Sequence, residues 1–363
     1  MELGIIGLPK SGKTTVLNAL TRGRAETSPS SPASGRPNLG VAKVRDPRLD
    51  ALAAMFQPER VIQAEVRYTD IPGAPEGLGK DQGIGGEYLN ILQRADAIFH
   101  VVRAFDDPSV PHVAGSVAPY QDTVTMNLEL AFSDLAILER RVQRLDAEFK
   151  GARGQDRERM HREAALLERL KEGLAQDIPV REQDLSVEDR RLISAYQFLT
   201  AKPLLILFNI GEDQLPQAPT LEEEMSQRLN RSGVLSATMC ATLEAELAQM
   251  EPEEEEEFRQ SLGGGEPGAT RMIRLSYELL GLISFFTTAS REVKAWSVPR
   301  DAPASRAAGH IHSDMERGFI RAEVIGHDDL ARCGSIAEAR RQGLLRLEGR
   351  TYPVKDGDVI TFL

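Results

Sequence analysis

Residues 7–14 read Gly-Leu-Pro-Lys-Ser-Gly-Lys-Thr. The spacing is G-x-x-x-x-G-K-[ST]; the apolar run at residues 3–6 precedes it and the helix-like run Val16-Leu17-Asn18-Ala19-Leu20 follows. Strand, glycine-bearing loop and helix in that order are the context in which this pattern cradles a polyphosphate. Glycines let the backbone come close enough to aim several N–H groups at one point, and the helix N-terminus favours negative charge. Pro9, Lys10, Ser11, Gly12 and Thr15 complete the cradle. Lys13 supplies a point charge to the outer phosphates, and the Thr14 hydroxyl is a ligand for Mg²⁺. The expected ligand is a nucleoside triphosphate, and the expected fold class is α/β.

At 363 residues the chain calls for two or three domains. Cys240 and Cys333 are its two cysteines and form no C-x-x-C pair, so neither a disulfide framework nor a zinc site is indicated, which suits a reducing cytoplasm. No apolar stretch approaches the ~20 residues of a membrane span, and strand-like sequence begins at once, leaving no room for a signal peptide. A net charge of −11 opposes engagement of nucleic acid by the whole surface, and no DNA sequence specificity is expected. A local basic face remains open.

The first half alternates strand-like and helix-like segments, as a parallel sheet does. Strands are expected at residues 66–69, 97–102 and 203–208. Between the last two, Leu128, Ala131, Leu135, Leu138, Val142, Leu145 and Phe149 alternate spacings of three and four, an apolar seam of helical period. A break at Gly151-Ala152-Arg153-Gly154 is followed by a second charged helical stretch with Met160, Leu167, Leu170 and Leu174, so an antiparallel helical hairpin inserted into the α/β domain is expected. The acidic run 253–257 after Pro252 has the pattern of a solvated helix face or linker. Near the end, Tyr352-Pro353-Val354 and Val359-Ile360-Thr361-Phe362 flank Asp356-Gly357, the pattern of a β-hairpin in a small α+β module.

Two further motifs follow the loop in the right order. Asp70-Ile71-Pro72-Gly73 closes a strand as D-x-x-G, placing Asp70 to hold Mg²⁺ through water and the Gly73 N–H toward the γ-phosphate. The next residue is Ala74, where Ras-like enzymes carry a water-orienting glutamine, so hydrolysis must recruit another group from this chain, a partner or a potassium-assisted site. Asn209-Ile210-Gly211-Glu212 occupies the place of the guanine-reading N-K-x-D, with isoleucine for lysine and the longer glutamate for aspartate.

Together these motifs resemble the YchF (Obg-like ATPase) family from end to end. The resemblance is also carried by Ala-Asp-Ala-Ile-Phe-His-Val-Val-Arg-Ala at 95–104, Leu-Glu-Ala-Glu-Leu at 243–247, Ala-Ala-Gly-His-Ile-His at 307–312, Gly-Phe-Ile-Arg-Ala-Glu at 318–323 and Asp-Gly-Asp at 356–358. It implies a P-loop NTPase G domain at 1–126 and 198–276, an inserted helical domain at 127–197 and a C-terminal ubiquitin-like (β-grasp) TGS domain at 277–363. It also implies an N-x-x-E motif at Asn209 and Glu212 with ATP preferred over GTP. His112 is implied as an aid to hydrolysis beside Lys13, Ser34 as a further hydroxyl for Mg²⁺, and Cys240 and Ala241 as base-side residues. Oxidation of Cys240 is then expected to impair binding.

Ribosome or RNA contact through the TGS and helical domains is a further implication, with modest support from Arg332, Arg340, Arg341, Arg346, Arg350 and Lys355. Three readings stand: a slow ATPase acting as a translation or stress switch, a GTPase using the same site, and a nucleotide-binding scaffold with negligible turnover.

Overall fold

The computed structural model describes residues 1–23, 37–70, 84–110, 112, 115–149, 151, 153–262, 264–289 and 291–363; Ser34, Gly73 and Ala74 lie outside the described residues. The strands described are β1 (Glu2–Ile6), β2 (Asn38–Val44), β3 (Arg60–Ile62), β4 (Ala64–Asp70), β5 (Ala97–Arg103), β6 (Leu204–Asn209), β7 (Val234–Met239), β8 (Leu282–Ala289), β9 (Glu292–Pro299), β10 (Ala322–Gly326), β11 (Arg346–Glu348) and β12 (Asp358–Phe362). They form two sheets, ordered β2-β4-β1-β5-β6-β7 and β11-β10-β12-β8-β9-β3.

In the first sheet β4, β1, β5, β6 and β7 are parallel neighbours. Every residue of β5 and β6 is buried, which is why their sequences are continuous apolar runs rather than alternating ones. The register pairs Ile5 with Asp70, Ile6 with His100, Arg103 with Asn209, and Asn209 with Met239. The carboxyl ends of five strands therefore converge, the place where open parallel sheets bind ligands.

The helical hairpin is present. Its first helix runs unbroken from Pro119 to Phe149 and its second from Gln155 to Ala175. Leu138 and Leu145 of the first pack with Leu166, Leu167, Leu170 and Leu174 of the second. At roughly 1.5–3 kcal/mol per buried leucine, this seam holds helices whose charged faces contribute little by themselves. The sequence division at residue 127 falls inside the first helix, whose Met126 and Leu130 belong to the core of the sheet. Its root is tied by Asp134, which is fully buried. That carboxylate accepts hydrogen bonds from Leu199 N at 2.8 Å, Thr200 N at 2.7 Å and Thr200 Oγ1 at 2.6 Å.

The chain divides into two compact units, Met1–Gly40 with Arg67–Met272 and Val41–Val66 with Ile273–Leu363. The hairpin thus groups with the first sheet, and residues 41–66 group with the C-terminal region rather than with the N-terminal domain to which sequence assigned them. The reason is local pairing. β3 lies parallel to β9, with Arg60 opposite Glu292 and Ile62 opposite Lys294, and Arg48 forms an ion pair of 2.8 Å with Asp356.

In the second unit the helix Ala304–Ile311 sets Ala304 and Ala307 into a core with Phe285, Val298 and Ile360. The expected C-terminal hairpin is corrected. The Asp356-Gly357 turn exists, with Gly357 at φ 87°, but β12 pairs antiparallel with β10 and parallel with β8. Pro353 lacks an N–H for a ladder and makes only one isolated bridge, to Pro303. Asp358 Oδ2 closes the turn instead, accepting from Lys355 N and the Tyr352 hydroxyl, each at 2.9 Å.

Candidate functional site

The loop between β1 and the helix Lys13–Thr21 holds Pro9 to Gly12, with Thr14 and Thr15 in the first turn. Gly7 and Gly12 are required there by close approach. A Cβ on Gly7 would lie 2.3 Å from Val101 O, and one on Gly12, at φ 94°, would lie 2.4 Å from Asn209 Nδ2. Lys10 adopts φ 65°, a left-handed conformation that a side chain accepts at some cost, and is exposed. Ser11 is buried and its hydroxyl has no partner among the described residues.

Lys13 is buried and folded onto its own loop, donating to Gly7 O at 3.0 Å and Leu8 O at 3.3 Å. Burial lowers the pKa of its ammonium, while the charge of Asp70 raises it. Thr14 Oγ1 donates to Asp70 Oδ2 at 2.7 Å, and Asn38 Nδ2 reaches the same oxygen at 3.4 Å. Asp70 is fully buried at the end of β4, and its Oδ1 has no partner among the described residues. A hydroxyl and a carboxylate converging with an orphaned buried oxygen are the hard oxygen donors that Mg²⁺ takes, so Thr14 and Asp70 fit that ion.

Asn209 ends β6 with both ends of its amide engaged. Nδ2 donates to Ser11 O and Oδ1 accepts from Ala241 N, each at 3.0 Å. It is thus a tie between the phosphate loop and the loop after β7. Glu212 is exposed at the start of the turn Glu212–Gln217. Cys240 precedes the helix Ala241–Leu247 and is 3% exposed. Burial pushes its thiol pKa up, disfavouring the thiolate through which oxidation proceeds. This opposes the oxidation sensitivity expected from sequence. Titration of the native protein with a disulfide reagent should modify Cys333 well before Cys240; fast modification of both thiols would contradict the assignment.

His112 is anchored away from solvent by Asp122, with Nε2 to Oδ2 at 2.9 Å. Asp122 lies in the first turn of the Pro119–Phe149 helix, and burial raises the pKa of its carboxyl while His112 lowers it. Arg103, at the end of β5, braces the segment before His112 by donating to Phe105 O at 3.1 Å and Val110 O at 2.7 Å.

Sequence reasoning missed three residues at this site. Asn38 reaches Asp70, and Arg103 braces the loop before His112. His100 is buried in mid-β5 with neither ring nitrogen partnered among the described residues. Burial and the Lys13 charge push its pKa down to about 3, so it stays neutral. A lone histidine within an apolar run was the only available sign of it.

Comparison with known proteins gives a consistent result. Residues 2–131 match the family model described as 50S ribosome-binding GTPase. Residues 282–363 match YchF-GTPase_C, described as a protein of unknown function. The chain is 40% identical over 361 residues to the ribosome-binding ATPase YchF of Pasteurella multocida, covering 99% of this chain and 98% of that one. It is 38% identical over 364 residues to the protein of that name from Bacillus subtilis, covering 100% and 98%. The solved structure of the Schizosaccharomyces pombe YchF GTPase superposes with a TM-score of 0.85 at 27% identity, covering 100% of this chain and 97% of that one.

Proposed function

The chain belongs to the YchF family, and from that premise we propose that it is a slow, Mg²⁺-dependent ATPase working as a ribosome-associated switch in the cytoplasm. The observation that carries the proposal is the convergence of Lys13, Thr14 and Asp70 at the end of a parallel sheet. The backbone of residues 9–15 wraps the phosphates, and Lys13 leaves its two carbonyls for them. Mg²⁺ bound there would neutralise negative charge on the phosphate oxygens as the bond to the γ-phosphorus breaks. Thr14 and Asp70 would hold it, with the Ser34 hydroxyl as a further ligand, and the Gly73 N–H would reach the γ-phosphate; Ser34 and Gly73 lie outside the described residues. His112, kept in place by Asp122, is proposed to position the attacking water in place of the missing glutamine. Potassium is a further candidate for that task.

Asn209 spends its amide on the backbone, so base choice falls to Glu212 and the backbone beside Cys240 and Ala241. The longer glutamate is poorly placed to accept from guanine, which favours ATP. Because the exposed Glu212 has room to adjust, the GTPase reading is the alternative. Competitive binding of ATP and GTP with Mg²⁺, followed by phosphate release from each, separates the readings. Preference for ATP with slow release is expected; preference for GTP would overturn the nucleotide assignment, and ATP held without turnover would make the protein a scaffold. In the same assay His112→Ala should lower turnover by about tenfold to a hundredfold with affinity unchanged. Unaltered turnover would remove His112 from the mechanism.

Ribosome contact is proposed for the helical hairpin and for the C-terminal unit, read as a TGS domain, whose surface carries exposed Arg332, Arg341 and Arg350. Binding of this kind weakens with salt.

A further inference from the structure

At the root of the helical hairpin the first unit contains a cleft of about 280 Å³ lined by Asp96, Arg181, Arg190, Ser194, Gln197 and Lys202 over an apolar wall. Three cations thus face one carboxylate, in a chain whose net charge is −11. That carboxylate, Asp96, accepts from Glu2 N at 2.8 Å through Oδ2, and its charge also acts on Lys202.

The cations are incompletely neutralised. The Arg181 side chain is 8% exposed, with Glu182 at 3.9 Å, the outer limit of an ion pair. Its Nη1 donates to Thr200 O at 3.2 Å, and its Nε has no partner among the described residues. Lys202 is buried and donates to Gln93 O at 3.0 Å and Ala95 O at 2.6 Å. Those are carbonyls at the C-terminal end of the helix Gly86–Arg94, not carboxylates. Burial lowers the pKa of both Arg181 and Lys202, outweighing the charges of Glu182 and Asp134 on Arg181 and of Asp96 and Asp134 on Lys202. A buried cation whose burial outweighs its counter-charges is costly, and a charge-assisted contact from an anion relieves that cost.

We propose that this cleft is a second anion site, distinct from the phosphate loop, that takes a small phosphate-bearing molecule between Arg181, Arg190 and Lys202. Its volume lies near the lower end for small-molecule sites, which suits a pyrophosphate-sized group and excludes a folded macromolecule. Ser194 and Gln197 supply neutral hydrogen-bonding groups, and the apolar wall accepts the non-phosphate part of the ligand. Lys202 links the cleft to the nucleotide site, because the helix whose end it holds follows the Asp70-x-x-Gly73 segment in the chain. A bound phosphate competes with Gln93 O and Ala95 O for the ammonium and so biases how that helix ends. Such coupling is reciprocal, so bound nucleotide would alter affinity in the cleft equally.

The probe is inorganic pyrophosphate, titrated calorimetrically into the full chain without Mg²⁺. Lys13→Ala disables the phosphate loop, and one pyrophosphate per chain should still bind. Adding Arg190→Gln to Lys13→Ala should weaken that binding about tenfold, the effect of losing one charged contact. Arg181→Gln should abolish it. Arg181 is buried and its variant has a folding risk, so the exposed Arg190 decides the question if Arg181→Gln does not fold. Loss of all pyrophosphate binding in Lys13→Ala, or no effect of Arg190→Gln in that background, would overturn the proposal. A chain that fails to bind ATP yet binds pyrophosphate through Arg190 would fault the nucleotide reading and leave the cleft standing.

Discussion

Lys13→Ala is expected to lower affinity for ATP with Mg²⁺ by about a hundredfold or more, because each charge-assisted contact contributes roughly 1.5–3 kcal/mol and the ammonium serves two phosphates. Lys13 donates to Gly7 O and Leu8 O. These bonds keep its buried ammonium satisfied. A lysine does this well, because its compact charge sits on a flexible stem that turns from carbonyl to phosphate without moving the backbone. The alanine variant leaves two loop carbonyls without a donor but also removes a buried ammonium that burial penalises, so its melting temperature should stay near that of the wild type while nucleotide titration fails. Affinity within about threefold of wild type, against that scale, would mean that the phosphate loop does not hold the triphosphate.

The second large effect concerns the hairpin root. Asp134→Ala removes one buried carboxylate and strands the Leu199 and Thr200 amides with the Thr200 hydroxyl. At about 1–3 kcal/mol for each buried group left unsatisfied, the cost is on the order of 3–5 kcal/mol. It should fall on local opening of the hairpin before global unfolding. Hydrogen exchange at the Leu199 and Thr200 amides and tryptic cleavage at Arg153 would both accelerate; unchanged rates would show that apolar packing alone holds the root.

The same residue sets a pH dependence. Burial pushes the Asp134 carboxyl up to about 6 from an ordinary 3.8, outweighing three donors that pull it down. The folded state therefore holds this proton more tightly than the unfolded chain. The resulting stabilisation is fully present below pH 3.8 and is lost as pH rises through about 6. Its full size is on the order of 3 kcal/mol, at 1.36 kcal/mol per pKa unit. Asp134→Asn cannot titrate, so wild type should lose opening free energy relative to it across that interval. A constant difference would place the ionised carboxylate in the fold throughout.

Much of this was legible in the chain because the relevant signals are local. A phosphate loop needs glycines at fixed offsets, and β1 and the helix Lys13–Thr21 appear where the motif demands. Buried parallel strands advertise themselves as apolar runs, and the hairpin seam follows helical period. Where signals depended on partners, the chain was silent or misleading. β7 mixes serine and threonine with apolar residues and was not foreseen; its burial follows from pairing with β6. The acidic run 253–257 was read as a solvated face or linker. Yet Glu255 turns inward to Arg22 at 2.5 Å and Arg259 at 3.0 Å, and Arg259 clasps Glu244 at 2.9 Å. Nothing in a row of glutamates marks the third as buried.

By itself the amino-acid sequence determined the glycine-bearing loop between β1 and its helix, the parallel sheet and the inserted helices, because each depends on residue type at short spacing. Only the tertiary structure decided that Asn209 ties two loops together, that Cys240 is shielded, that residues 41–66 group with the C-terminal unit, and that Arg181, Arg190 and Lys202 share one cleft. Those outcomes depend on which distant atoms compete for the same hydrogen bond or the same buried charge, and that competition exists only once the chain has folded.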